Sequence, residues 1–207
     1  MQITLADAGK RFNRDWIFKS LDYTFVQGNA YAIIGNNGSG KSTLLQSISG
    51  AVELSAGQCN WSMDLAKIST ENVFRYMAIA APSLELVEEM TAKEFLNFHS
   101  VFKPFVSHLS INEILELVQL SSAAKKQIRY FSSGMKQRVK LAQAIFSDAP
   151  VILLDEPCTN LDRSGYNLYH QLIKDFCKEK LVIVSSNDEE EYFFCSEKID
   201  IRDYKIS

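Results

Sequence analysis

The sequence has no apolar run approaching the roughly 18 residues that a membrane-spanning helix requires. Its first residues meet Asp7, Lys10 and Arg11 before a signal-like apolar core could form. The chain is therefore expected neither to span a membrane nor to be secreted by the usual route, which leaves a membrane partner open. Paired cysteines are also lacking: Cys59, Cys158, Cys177 and Cys195 are scattered, with no Cys-x-x-Cys. They read as buried or inert thiols in a reducing compartment. There is no surplus of positive charge, with 22 Lys and Arg against 25 Asp and Glu for a net charge of -3. With no basic run either, nucleic acid is not expected as a partner. Internal repeats and sustained heptads are missing, which argues against tandem units and coiled-coil arms.

What remains is an ordinary globular composition, 46% hydrophobic and 23% charged over 207 residues, enough for one domain with a subdomain. One stretch stands out, Gly35-Asn36-Asn37-Gly38-Ser39-Gly40-Lys41-Ser42-Thr43. It follows the apolar run from Ala30 to Ile34 and precedes Leu44, Leu45 and Ile48 at helical spacing, so it lies where a buried strand gives way to a helix. In that context Gly-x-x-x-x-Gly-Lys-Ser is a phosphate-binding loop. Its glycines let backbone N–H groups wrap an anion that also faces the positive end of the helix. Lys41 is placed to reach the terminal phosphates, and the Ser42 hydroxyl to ligate Mg²⁺.

Short alternating pieces precede the loop: Ile3 and Leu5, then Leu21, Tyr23 and Phe25. Phe12, Trp16 and Phe18 crowd the same region, and an aromatic there would either pack or stack on a base. After the first helix, Gln58 to Trp61 reads as a strand and Phe74 to Ile79 as another, ended at Pro82. Residues 83 to about 149 read as a helical insertion. Phe95, Phe98, Val101 and Phe102 have helical spacing, Ser110-Ile111-Asn112-Glu113 is a capping box, and a helix runs from Ser133 to Phe146. Strands return at Val151 to Leu154 and Leu181 to Ser185, continuous apolar runs that belong in a sheet covered on both faces. A helix from about Ser164 to Lys178, a short acidic-aromatic helix from Glu189 to Cys195 and a strand near Ile199 to Arg202 complete the reading.

A phosphate loop requires a carboxylate near the metal. Asp155 ends the strand Ile152-Leu153-Leu154-Asp155, where open sheets place their ligands. Glu156 beyond it can polarise an attacking water. Taken alone the pair could equally cap a strand, and Ser132-Ser133-Gly134 alone could be either an anion-binding nest or an ordinary helix cap.

Together these motifs resemble the nucleotide-binding subunit of an ATP-binding-cassette transporter. Gly35 to Thr43 matches that family's Walker A loop, and Ile152 to Pro157 its Walker B segment. Phe131-Ser132-Ser133-Gly134-Met135-Lys136-Gln137-Arg138 corresponds to the signature in variant form, the usual Leu-Ser-Gly-Gly-Gln appearing as Phe-Ser-Ser-Gly-Met, and Asn160-Leu161-Asp162 stands at the D-loop. The likeness covers essentially the whole chain. It implies an α/β phosphate-loop fold, one domain over 1–207, with a mixed sheet core, an N-terminal antiparallel β piece and the helical subdomain at about 83–149. It implies ATP and Mg²⁺, the metal held by Ser42 and Asp155, and a head-to-tail dimer with itself or a related cassette. Ser132, Ser133, Gly134 and Asp162 would then serve the ATP held by the opposite chain, and Phe12 would stack on adenine. A separate transmembrane permease subunit would dock near residues 80 to 105, where Glu85, Glu88 and Glu89 and exposed Phe95 or Phe98 could serve it or could equally be a solvated face and core packing. The chain would work on the cytoplasmic face of the membrane, resembling small single-cassette bacterial exporter ATPases. The alternative is an ATPase acting as a conformational switch in a soluble, non-transport complex.

Two family residues are missing. The glutamine expected at the strand end before the helical insertion is replaced by Ala80 or Ala81, which offer no side-chain oxygen. The switch histidine is replaced by Asn187, which can donate a hydrogen bond but cannot become cationic or shuttle a proton. Slow but genuine hydrolysis is the expectation.

Overall fold

A computed structural model of the chain describes residues 1–205; the expected single unit runs to 207, and its last two residues lie outside those described. The alternating N-terminal pieces are one long hairpin, β1 (Gln2–Phe12) and β2 (Asp15–Val26), closed at Asn13-Arg14 with Phe12 opposite Asp15. With β4 (Ala56–Met63) and β5 (Ala66–Ile68) it forms an antiparallel sheet in the order β2-β1-β4-β5. The second sheet is parallel throughout. Its order is β6-β7-β8-β3-β9, from β3 (Ala30–Ile34), β6 (Met77–Ala80), β7 (Val151–Asp155), β8 (Leu181–Ser185) and β9 (Glu197–Asp200). The expected mixed character is thus divided between two sheets.

The apolar runs are continuous because both faces of the parallel sheet are covered. Tyr31, Ile33, Val151, Leu153, Leu181 and Ile183 join a core with Ile3, Leu5, Phe18, Phe25 and Trp61 of the antiparallel sheet and with Leu44, Leu45 and Ile48 of α1 (Lys41–Ile48). Alternate residues Ala32, Ile152, Leu154, Val182 and Val184 face a second core. That core is built with α3 (Ala92–Phe102), α4 (Ile111–Leu117), α5 (Ser133–Ile145) and α6 (Arg163–Phe176). A short α2 (Thr70–Val73) precedes β6, and α7 (Glu189–Tyr192) follows β8. Between β6 and β7, the described residues pair as strands only through isolated bridges, Thr91 with Gln127 and Phe105 with Ser147. Both capping boxes of this helical stretch form, Thr91 with Glu94 and Ser110 with Glu113.

Several boundaries differ from the sequence reading. Phe74 to Tyr76 form a 3₁₀ turn and the strand begins only at Met77; Lys103 Nζ donates to the carbonyls of Phe74 and Met77, which pins that turn to α3. On α3, Phe95 and Leu96 are buried, whereas Phe98, Val101 and Phe102 are exposed. Phe95 therefore is not an exposed docking residue. Nor does the last strand reach Arg202: it ends at Asp200, whose carboxylate accepts the Arg202 N–H and opens a 3₁₀ turn.

Candidate functional site

Parallel strands end together, so β6, β7, β8 and β3 deliver their C-terminal residues to one edge of the sheet. The 35–43 loop follows β3 there. Lys41 is buried with its Nζ donating to the carbonyls of Gly35 (2.9 Å) and Asn36 (3.3 Å), a lysine folded back over its own loop. Gly40 sits before α1 at φ 105°, and a Cβ on it would fall 2.1 Å from Ile17 of β2. The hairpin thus lies against the loop, and only glycine fits between them. Among the described residues the buried Ser39 hydroxyl has no hydrogen-bond partner, an orphan donor in a loop whose backbone is shaped for an anion. Ser42 and Asn36, Asn37 and Gly38 are exposed on this rim, with Thr43 half-buried behind them.

Asp155 is buried at the tip of β7, opposite Ser185 of β8, whose hydroxyl donates to its Oδ1 at 2.7 Å. Among the described residues nothing donates to Oδ2. One free carboxylate oxygen and the Ser42 hydroxyl suit a hard cation that takes its other ligands from phosphate and water. Among the described residues no cluster of three His, Cys, Asp or Glu side chains could hold a metal alone. Glu156 has φ 43°, in the left-handed region, and is kept there by its N–H on the Ser185 carbonyl (2.8 Å) and by the Thr159 N–H on its own carbonyl (3.1 Å). Asn187 donates from Nδ2 to Asn37 Oδ1 at 3.2 Å, so it touches the 35–43 loop directly. Ala80 and Ala81 are both buried, and Lys140 of α5 donates to the carbonyls of Ala81 and Pro82.

At the head of α5, Ser132 is the N-cap, accepting the Met135 N–H, and Ser133 begins the helix. Gly134 packs against the D-loop; a Cβ there would stand 3.0 Å from the Asn160 carbonyl. Asp162 caps α6, accepting from the Gly165 N–H and the Ser164 hydroxyl. Phe12 is exposed at the end of β1 with Lys10 Nζ 4.9 Å over its ring, while Trp16 lies between Arg11 and Lys19. Of the acidic residues assigned to docking, Glu88 is engaged in an ion pair with Lys136.

Two residues near the site, Ile17 and Glu191, escape sequence reading, and a third, Gln137, is read only as part of the signature stretch. Ile17 is one of many apolar residues in a strand. Gln137 sits inside a helix with no charge to mark it, yet it is buried and donates from Nε2 to the Pro157 carbonyl at 2.7 Å. Glu191 ends the run Glu189-Glu190-Glu191, which suggests a wet surface; only its position beside Tyr192 on the helix hints otherwise. It is 3% exposed, its Oε1 accepts the Cys158 N–H at 2.7 Å, and its Oε2 has no partner among the described residues. Burial pushes its pKa up to about 7, with the carboxylates of Asp188 and Glu156 adding; the Cys158 amide and the nearby Ser186 hydroxyl offset this only in part.

Comparison with known proteins follows the same motifs. The family model described as ABC transporter matches residues 18–159. The ABC transporter ATP-binding protein YybJ of Bacillus subtilis (strain 168) is 27% identical over 191 residues, covering 91% of this chain and 87% of that one. A second ABC transporter ATP-binding protein of that organism, YcbN, is 30% identical over 82% of this chain, which spans only 55% of its length. Among solved structures, the dimeric cassette MJ0796 in a post-hydrolysis state with ADP and Pi superimposes with a TM-score of 0.84. Its identity is 23%, covering 99% of this chain and 96% of that one, a likeness of fold. With more than half of its length inside the family match, and with the phosphate loop, Asp155 and Glu156 on one sheet edge, the chain belongs to the ABC transporter family as an ATP-binding, ATP-hydrolysing chain.

Proposed function

We propose that the chain hydrolyses ATP slowly, in a head-to-tail pair with itself or a related cassette, and that the pair powers a separate membrane-spanning permease from the cytoplasmic face. One observation supports this most: Asp155 and Glu156, Asn187 and the 35–43 loop occupy one edge of one sheet, and the Asn187–Asn37 hydrogen bond joins two of them. In this reading Lys41 exchanges the carbonyls of Gly35 and Asn36 for phosphate oxygens. Ser42 and Asp155 hold Mg²⁺, which when bound would neutralise phosphate charge. Glu156 orients the attacking water and takes its proton, and Phe12 offers the base an exposed ring. Ser132, Ser133, Gly134 and Asp162 meet the nucleotide of the opposite chain. Asn187 donates one neutral hydrogen bond to the γ-phosphate, and the missing cationic switch is what slows turnover.

The permease reading draws on the surface of the helical insertion. Phe98, Val101 and Phe102 are exposed together on α3, and Phe74 is exposed beside the groove lined by Val73, Met77, Leu84 and His99. Among the described residues no helix is long and apolar enough to cross a membrane, so spans must come from elsewhere.

Steady-state phosphate release tests the chemistry. Glu156→Gln is expected to lower kcat about 100-fold or more with ATP affinity retained; equal rates would remove Glu156 from its role. Asn187→His is expected to raise kcat about tenfold, and an unchanged rate would show that asparagine serves as well. Purification from detergent-solubilised membranes should bring down a multispanning protein, whereas soluble partners alone would favour a non-transport complex.

A further inference from the structure

The carbonyl of Pro157 and the N–H of Cys158 are the two ends of a single peptide group, with Pro157 alone between it and Glu156. Both ends are held by buried side chains from different elements. Gln137, one turn into α5, donates to the carbonyl at 2.7 Å, and Glu191 of α7 accepts from the N–H at 2.7 Å. Neither side chain is an ordinary packing choice. Gln137 is 3% exposed, Glu191 is 3% exposed with one oxygen unpartnered, and an apolar side chain in either place would avoid burying polar atoms. Glu156, the residue before Pro157, is in a strained left-handed conformation, φ 43° without being glycine. Such a conformation persists only where its surroundings fix it. A third contact runs the same way, since Gly134 lies against the carbonyl of Asn160, two residues past Cys158.

We infer that Gln137 and Glu191 are positioning residues that clamp the Pro157–Cys158 peptide and thereby aim the Glu156 carboxylate. The inference rests on the reading of Glu156 as the group that orients water. Its consequence is a direct mechanical link: the helix whose head presents Ser132, Ser133 and Gly134 to an opposite nucleotide also holds, through Gln137, the peptide next to the carboxylate serving the chain's own nucleotide. Displacement of α5 on engaging the opposite chain would reach Glu156 through one hydrogen bond, and Glu191 fastens the far end of that peptide to the element following Asn187.

Phosphate release and ATP titration on the full chain test it. Gln137→Leu and Glu191→Leu should each lower kcat about 10- to 100-fold while KM for ATP changes less than about twofold, because the 35–43 loop is untouched. The double variant should be no slower than the slower single one, since both act on one peptide. Glu191→Gln keeps an acceptor for the Cys158 N–H and should restore the rate, which a requirement for the charge itself would not allow. If a leucine variant does not fold, Gln137→Asn and Glu191→Asp shorten the reach with polarity kept and carry the same expectation. A loss of thermal midpoint with kcat unchanged, or additive losses, would overturn the clamp. Glu156→Gln separates the two ideas: if it is slow while the clamp variants are not, the clamp fails alone. If wild type and Glu156→Gln release phosphate equally or not at all, the hydrolytic reading fails, and amide exchange with ATP bound still decides the clamp. Either leucine variant should then speed exchange across residues 156–162 about tenfold, and unchanged exchange would refute it.

Discussion

Glu191 is the residue on which folding acts most visibly. Its pKa is about 7 in the folded chain and near 4.5 when exposed. Between those values the folded state keeps a proton that the unfolded state has released, so stability is full below about pH 4.5 and declines as pH rises through 7. The gap corresponds to about 3 kcal/mol at alkaline pH. Glu191→Gln removes the charge and should therefore gain stability over wild type at pH 8 while matching it near pH 4, measured as urea midpoints across that range; a constant difference would refute the assignment. Lys41 is the opposite case, a residue legible from sequence alone. In its proposed role its two carbonyl contacts are exchanged for phosphate, and Lys41→Ala should then weaken ATP binding about 100-fold by calorimetry, the loss of a charge-assisted contact. The two differ in how they are marked. A lysine between glycine and serine in a phosphate loop carries its use in its neighbours, whereas a glutamate in an acidic run acquires its meaning only when the chain folds it beneath the Walker B turn.

The same contrast holds for elements. β3, β7 and β8 were legible because strands covered on both faces leave unbroken apolar runs, and α4 because its capping box is a local signal that local chemistry satisfies. Ser110 accepts the Glu113 N–H while Glu113 accepts from the Ser110 N–H and hydroxyl. Ser110→Ala should cost about 1 kcal/mol in denaturant unfolding. β5 was not legible: its three residues, Ala66 to Ile68, gain their strand character from pairing with β4. The buried face of α3 is not legible from sequence for a related reason. Phe95, Phe98 and Phe102 form a stripe at helical spacing, but tertiary placement selects Ala92, Phe95 and Leu96 for the core and turns the other two outward. Periodicity identifies a helix; it does not state which side the rest of the molecule covers.

At the scale of the whole molecule, the proposed function gives the chain two halves of a site that it does not join. The phosphate loop lies on the sheet edge, while the head of α5 packs on its own D-loop through Gly134 and the Asn160 carbonyl. Among the described residues no hydrogen bond or ion pair runs from Ser132, Ser133 or Gly134 to residues 35–43. A second chain, turned head to tail, would supply what each lacks, with the nucleotide as the joint. Dimerisation should then depend on ATP and should accumulate when hydrolysis is blocked. In sedimentation velocity, Glu156→Gln is expected to remain a monomer without nucleotide and to become a dimer with ATP and Mg²⁺. Adding Ser132→Arg, which places a bulky side chain where the opposite γ-phosphate would lie, should abolish the dimer and leave ATP affinity of the monomer within about threefold, since the arginine is remote from the chain's own loop. A Glu156→Gln chain that stays monomeric at saturating ATP would exclude pairing with itself, and a dimer indifferent to Ser132→Arg would place the interface elsewhere.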